Sequence, residues 1–123
     1  MTEVGIDIIE IERIRSAIKR WGEKFKSKVY LPEEVKYCEA RHHPAQHYAV
    51  RFAAKEAVAK ALKSSHDVSM SWHDVEILTQ KGGAPQVRLH GEAAQKFSNH
   101  ILSLSVSHSD ESAVAVALLN SQS

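Results

Sequence analysis

The chain has 123 residues, with 16 Lys and Arg against 15 Asp and Glu and a formal net charge of +1. That length allows one domain with a modest core, and the single cysteine, Cys38, excludes an intrachain disulfide and fits a reducing compartment. No apolar run approaches the roughly 20 residues of a membrane span, and Thr2-Glu3-Val4-Gly5 lacks a charged-then-apolar leader pattern, so a soluble cytoplasmic protein with no membrane partner is expected.

The first element is Val4-Gly5-Ile6-Asp7-Ile8-Ile9, a run rich in β-branched residues that reads as a buried strand with one aspartate inside it. Glu10 to Phe25 reads as one helix, in which Ile11, Ile14, Ile18 and Trp21 (or Ala17) recur at three- and four-residue steps. Seven Lys and Arg lie between Arg13 and Lys28, Arg20 among them, against Glu23 alone, which makes a basic patch suited to an acidic partner. Nucleic acid would also suit a basic patch. Aromatic interleaving is confined to Trp21 and Phe25, however, and no nucleic-acid motif accompanies them, so no such partner is expected. Leu31-Pro32-Glu33-Glu34 opens a further helix, with Pro in the first turn and acids behind it. It ends near Arg41, ahead of Pro44.

The central helix is expected from about His47 to Lys63. Its segment Arg51-Phe52-Ala53-Ala54-Lys55-Glu56-Ala57-Val58-Ala59-Lys60-Ala61 has no Gly, no Pro and five alanines. Residues four apart share a helix face, so Glu56 pairs with Lys60 and Arg51 with Lys55 in this reading. A carboxylate beside an ammonium group can hold a metal ion and neutralise an anion, which chemistry at a phosphate requires.

Ser64 to Ser71 reads as a loop, Trp72 to Leu78 as a strand, Gln80 to Pro85 as a turn and Gln86 to Leu89 as the second strand of a hairpin. Gly91 to His100 reads as a short helix. Ser103 to Ser109 alternates, with Leu104, Val106 and His108 on one side and serines on the other. Asp110-Glu111-Ser112 turns the chain, Ala113 to Leu119 closes as an apolar strand, and Asn120 to Ser123 is a ragged end. The pattern is α+β in one domain over residues 1–123, with much of the sheet in the second half.

An aspartate inside an apolar strand needs compensation, from a metal ion, a cation, or exposure at a strand end where it caps the next helix. Glu56 on an Ala-rich helix poses the same problem, and its plainest solution is the ion pair with Lys60. If the two acids meet in the fold, they can bind Mg²⁺, which often takes one or two carboxylates plus substrate phosphates. His108 stands at a strand end between two serines. A serine–histidine hydrolase is disfavoured, because strand neighbours point to opposite faces and no nucleophile elbow is present. His42, His43 and His47 lack the Cys or carboxylate that would complete a zinc site. The Lys81 to Pro85 loop joins strands rather than opening a helix, so it is neither a Walker loop nor a dinucleotide fingerprint. Cys38 reads as a packing residue.

Taken together, Val4-Gly5-Ile6-Asp7, the Arg51 to Ala61 segment, Trp72-His73-Asp74-Val75-Glu76-Ile77 and Ser105-Val106-Ser107-His108-Ser109 resemble one family, in order and at the expected separations over nearly the whole chain. The family is the holo-[acyl-carrier-protein] synthases, the short 4′-phosphopantetheinyl transferases. The resemblance implies a small antiparallel sheet packed with a long central helix, in a trimer with active sites shared between subunits. It also implies transfer of phosphopantetheine from coenzyme A to a serine of apo acyl carrier protein, in support of fatty acid biosynthesis. Asp7 and Glu56 match the family's Mg²⁺ ligands, and Lys60 the lysine beside the leaving phosphate. Arg51, His108 and Ser109 match residues around the coenzyme A phosphates, and Lys55 the motif lysine in the same region. Arg13 matches the first-helix arginine that docks the acidic carrier, with Arg20 on the same helix. The general base is left open between Glu56, acting through water, and a group on the carrier.

Two departures stand out. The family's glycine-containing loop after the central helix is here Lys63-Ser64-Ser65-His66-Asp67, which puts close backbone approach to coenzyme A in doubt. The hairpin turn is Gly83-Ala84-Pro85 and lacks the family's lysine, so either Lys81 substitutes or the adenine side is held less firmly. A non-catalytic binding module and a nucleotide pyrophosphate hydrolase are the rival readings, and neither departure touches the metal-site residues.

Overall fold

The computed structural model describes residues 1–64 and 66–122, and the expectations for Ser65 in the loop and Ser123 at the end lie outside the described residues. Strand β1 (Thr2–Glu10) leads into helices α1 (Ile11–Trp21), α2 (Glu23–Val29), α3 (Pro32–Glu39) and α4 (Pro44–Lys63). A hairpin of β2 (Val75–Thr79) and β3 (Pro85–Leu89), the short α5 (Gly91–Lys96), and strands β4 (His100–His108) and β5 (Ser112–Ser121) follow. The strands form two antiparallel sheets, ordered β1-β5-β4 and β2-β3. This is the expected α+β arrangement of small antiparallel sheets around a long central helix.

The three-stranded sheet and α4 meet across a seam of small side chains. Ala113, Ala115 and Ala117 of β5 and Ala53, Ala54, Ala57 and Ala61 of α4 are buried. Leu104 and Val106 of β4 pack against the cluster of Ala115, Ala117 and these four helix alanines, as the alternation of that strand predicts. Contact is closest at Gly5 of β1, where an added Cβ would lie 1.9 Å from the Ala57 carbonyl oxygen and 2.7 Å from the Ala61 nitrogen. Only glycine lets β1 lie this near the helix backbone. Register pairs Gly5 with Ala117, and Asp7 with Ala115, so both project to the helix side of the sheet.

Several expectations are corrected. β1 is buried on one face only: Val4, Ile6 and Ile8 are 55%, 58% and 69% exposed. In register they stand beside Leu118, Val116 and Val114, so an apolar sheet face is turned to solvent. The single helix from Glu10 to Phe25 is two, because Gly22 adopts φ 53 and ends α1. Trp21, expected on the apolar stripe, is consequently 52% exposed at the break. Pro44 opens α4 at its first turn, three residues before the expected start. Trp72–Asp74 is a single 3₁₀ turn, closed by the Ser71 N–H on Asp74 Oδ2, and the strand begins at Val75. α5 stops at Lys96, and His100 belongs to β4, where it pairs with Ser121. Among the described residues no helix is long and apolar enough to cross a membrane.

Candidate active site

The close approach of β1 and α4 brings Asp7 next to the charged residues of the helix. Lys60 Nζ donates to Asp7 Oδ1 at 3.0 Å and to the Ile6 carbonyl at 2.9 Å. The helix lysines also find tertiary partners: Lys60 turns to Asp7 while its charge still acts on Glu56, and Lys55 turns to Glu34 at 2.7 Å. The Glu56 carboxyl is held above its usual pKa, first by burial and then by the charge of Asp7, with Lys60 and Lys63 opposing. Burial and the charge of Asp7 thus both raise the cost of ionising Glu56. A divalent cation between the two carboxylates would relieve that cost, so the donor set fits a hard cation. Among the described residues no three His, Cys, Asp or Glu side chains converge. Such a cation would take its remaining ligands from substrate oxygens and water.

A cavity of about 490 Å³ opens beside this pair, between α4 and the segment before β2. Lys55, Glu56, Ala59 and Lys63 form one wall, Trp72 and Val75 the other. Asp7 and Lys60 are not in its lining, so Glu56 is the residue shared by the cavity and the carboxylate pair. Lys28 of α2 reaches the same cavity and carries the basic patch to its edge. Lys55 is buried, and its ammonium donates to Glu34 Oε1, to the Trp72 carbonyl at 3.1 Å and to the Val75 carbonyl at 2.7 Å. Its protons are occupied inside the protein, although its stem shapes the cavity wall.

A second cationic cluster forms at the N-terminal end of α4. Buried Arg51 donates from Nη2 to Thr79 Oγ1 at 2.8 Å, and its guanidinium lies 4.0 Å from the Tyr37 ring centroid. Arg41 lies over the same ring, also at 4.0 Å. Arg51 Nε is buried with no hydrogen-bond partner among the described residues. His108 stands at the end of β4 with Gln46 Nε2 2.8 Å from its Nε2. His47 is pushed below its ordinary pKa by burial and then by Arg51, Arg41 and His108, so these groups share one field. Ser109 Oγ accepts the N–H groups of Glu111 and Ser112 and fixes the turn that follows His108.

Arg51 and Glu56 are five residues apart, about 7.5 Å along the helix and about 140° around it. The cationic cluster and the carboxylate pair therefore occupy different faces of α4. Arg13 and Arg20 are exposed on α1, and Arg20 stacks at 5.0 Å on Trp21. Sequence reasoning missed Glu34, Tyr37, Gln46, Lys28 and Lys63. Glu34 carried only a helix-start signal, and the contacts of Tyr37 with Arg51 and of Gln46 with His108 are distant in sequence.

The family model of the 4′-phosphopantetheinyl transferase superfamily matches residues 3–117. A holo-[acyl-carrier-protein] synthase of Koribacter versatilis is 40% identical over 118 residues, spanning 94% of each chain. One of Moorella thermoacetica is 46% identical over 124 aligned positions, covering 98% of this chain and 95% of that protein. Among solved structures, the Chronobacterium ammoniagenes ACPS-CoA complex superposes with a TM-score of 0.86 at 27% identity, covering 100% of this chain and 99% of that one. The Helicobacter pylori holo-[acyl-carrier-protein] synthase in complex with coenzyme A gives 0.83 at 33% identity, covering 95% and 99%.

Proposed function

The chain belongs to the 4′-phosphopantetheinyl transferase superfamily, and from that membership we propose that it acts as a holo-[acyl-carrier-protein] synthase. It transfers the 4′-phosphopantetheine arm of coenzyme A to a serine of an apo acyl carrier protein, releasing adenosine 3′,5′-bisphosphate. The observation that supports this reading is the Lys60–Asp7 pair whose aspartate acts on Glu56, a residue of the cavity wall.

Phosphoryl transfer depends on positioning and on neutralising charge. Asp7 and Glu56 would hold Mg²⁺, which when bound supplies Lewis-acid polarisation of the pyrophosphate. Lys60, half exposed beside Asp7, is free to swing its ammonium onto the departing phosphate, where negative charge grows as the bond breaks. Arg51 and His108 bind the remaining phosphates of coenzyme A, with Ser109 holding the turn behind His108. The unpartnered Nε of Arg51 supports this assignment. Lys55 acts from the cavity wall. Arg13 and Arg20 present the basic face of α1 to the acidic carrier, which electrostatic complementarity would steer into place.

The assembly is a homotrimer with shared active sites. Two observations support it. The apolar face of Val4, Ile6 and Ile8 is the kind of surface that copies of a chain cover. The phosphate-binding cluster and the carboxylate pair also lie on different faces of α4, so a neighbour that brings its cluster to this chain's carboxylates completes the site. The protein works in the cytoplasm, in fatty acid biosynthesis.

Incubation with coenzyme A, Mg²⁺ and apo carrier protein tests the function. A carrier mass gain of one phosphopantetheine is expected. Cleavage of coenzyme A without carrier modification would instead show a hydrolase, and binding without either change a non-catalytic module.

A further inference from the structure

Glu34 has no part in the reaction as described so far, yet its carboxylate is buried and fully engaged. Oε1 accepts the Leu31 N–H at 2.8 Å and the Lys55 ammonium at 2.7 Å, and Oε2 accepts the Ile77 N–H at 2.9 Å. Lys55 in turn donates to the Val75 carbonyl. Val75 and Ile77 are two residues apart on β2, and both groups lie on the edge away from β3. A strand edge leaves its N–H and C=O groups without a ladder. Here a carboxylate and an ammonium group take the place of the missing strand, and Arg51 extends the contact to Thr79. Lys55 also holds the Trp72 carbonyl, so the pair ties together the two walls of the cavity.

We infer that Glu34 is a positioning residue for the transferase: acting through Lys55, it latches the Trp72–Thr79 segment onto α4 and sets the width of the cavity that receives coenzyme A. The inference rests on the transferase reading. The latch is selective, because the carboxylate accepts only from N–H and the ammonium donates only to C=O. A one-residue slip of β2 would offer each the wrong group. Neutralising Glu34 leaves the buried Lys55 ammonium without its hydrogen-bonded counter-charge and with only the field of Glu76. The segment then relaxes outward until water reaches that ammonium, and the cavity widens.

The test uses Glu34→Gln and, in case that variant does not fold, Glu34→Asp. Both are made in a Trp21→Phe parent, where Trp72 is the remaining one of the chain's two tryptophans. Trp72 emission and calorimetric coenzyme A binding are measured on folded protein, well below each melting temperature. Trp72 emission is expected to move to the red, and the coenzyme A Kd to rise about tenfold or more, with a smaller rise in Glu34→Asp. Lower melting temperatures with unchanged emission and unchanged Kd would make the pair a stabilising contact only and overturn the inference. A parent that binds no coenzyme A and leaves the carrier unmodified would instead overturn the transferase reading, and this inference with it.

Discussion

Lys60 Nζ lies 3.0 Å from Asp7 Oδ1 and 2.9 Å from the carbonyl oxygen of the preceding residue, Ile6. One side chain of α4 thus grips both the carboxylate and the backbone of β1. The contact is half open to water, with the lysine side chain 52% and the aspartate 15% exposed.

Such a pair contributes little to stability, because solvent screens it. Asp7→Ala is expected to change the free energy of unfolding by no more than about 1 kcal/mol. Transfer should fall by about a hundredfold or more, as for Glu56→Ala, since each removes a proposed metal ligand. Urea unfolding and carrier mass spectrometry check the two halves. Substantial transfer by either variant at saturating Mg²⁺ would count against the metal assignment.

Gly5→Ala should be worse for stability than Asp7→Ala, although it removes no charge. Its Cβ would meet three backbone atoms of α4, the Ala57 oxygen at 1.9 Å, the Ala61 nitrogen at 2.7 Å and the Ala57 carbonyl carbon at 2.9 Å, and none can rotate away. A cost of about 1–3 kcal/mol is expected. β1 must also shift away from the helix, so the Mg²⁺ concentration for half-maximal transfer should rise. Normal metal dependence in a folded Gly5→Ala protein would show that this approach does not set the carboxylate spacing.

Arg13→Glu reverses a charge on the exposed face of α1. The KM for carrier protein should rise about tenfold at low salt, and the difference should shrink as added salt shortens the Debye length. The coenzyme A Kd should stay the same. Equal effects on both substrates would contradict a docking role.

Ile6→Glu places a charge in the middle of the outward apolar face of β1. Light scattering should show a monomer in place of the proposed trimer, and circular dichroism should keep its helical signal. If the site is shared between subunits as proposed, transfer should be lost because each active site would lack its neighbour. An active monomer would refute the shared site.

The Lys26–Glu39 pair gives stability a dependence on pH. Lys26 Nζ lies 2.8 Å from Glu39 Oε2. The Lys26 hydrogen bond, then that of the Tyr48 hydroxyl, hold Glu39 below the usual carboxylate range. The Glu39 hydrogen bond lifts Lys26 above its usual range against the opposing effect of burial. A depressed carboxylate stabilises the fold above its unfolded pKa, and that stability is lost as pH falls through the folded value. A raised lysine stabilises below its unfolded pKa, and that stability is lost as pH rises through the folded value. Glu39→Gln should therefore melt lower at neutral pH and show shallower acid and alkaline limbs. Melting curves across pH measure this.

Most of the fold could be read from local pattern. The alternation of Leu104, Val106 and His108 and the alanines between Arg51 and Ala61 mark a strand and a helix without tertiary information. The Gly22 break was missed because the apolar period continues through it, whereas φ at one residue does not depend on that period. The exposure of Val4, Ile6 and Ile8 was missed for another reason: a β-branched run reads as core, and its pattern does not say which face another element covers. At the site, Asp7 and Glu56 stood out as acids in apolar surroundings, and the family pattern gave them and Lys60 their roles. Their actual partners could not be read, because helix spacing favours Glu56–Lys60 while the nearby strand offers Lys60 a better acceptor. The pairing of Glu34 with Lys55 spans a gap that no local periodicity covers.

The seam between α4 and the sheet is lined largely by methyl groups. An alanine has no rotamers to freeze, so ordering this contact costs no side-chain entropy, whereas a seam of long side chains would cost more with every degree of warming. Backbone contact then governs the distance between the strand that bears Asp7 and the helix that bears Glu56. Side-chain hopping cannot loosen it, and the reacting geometry should hold with little drift until the whole domain melts.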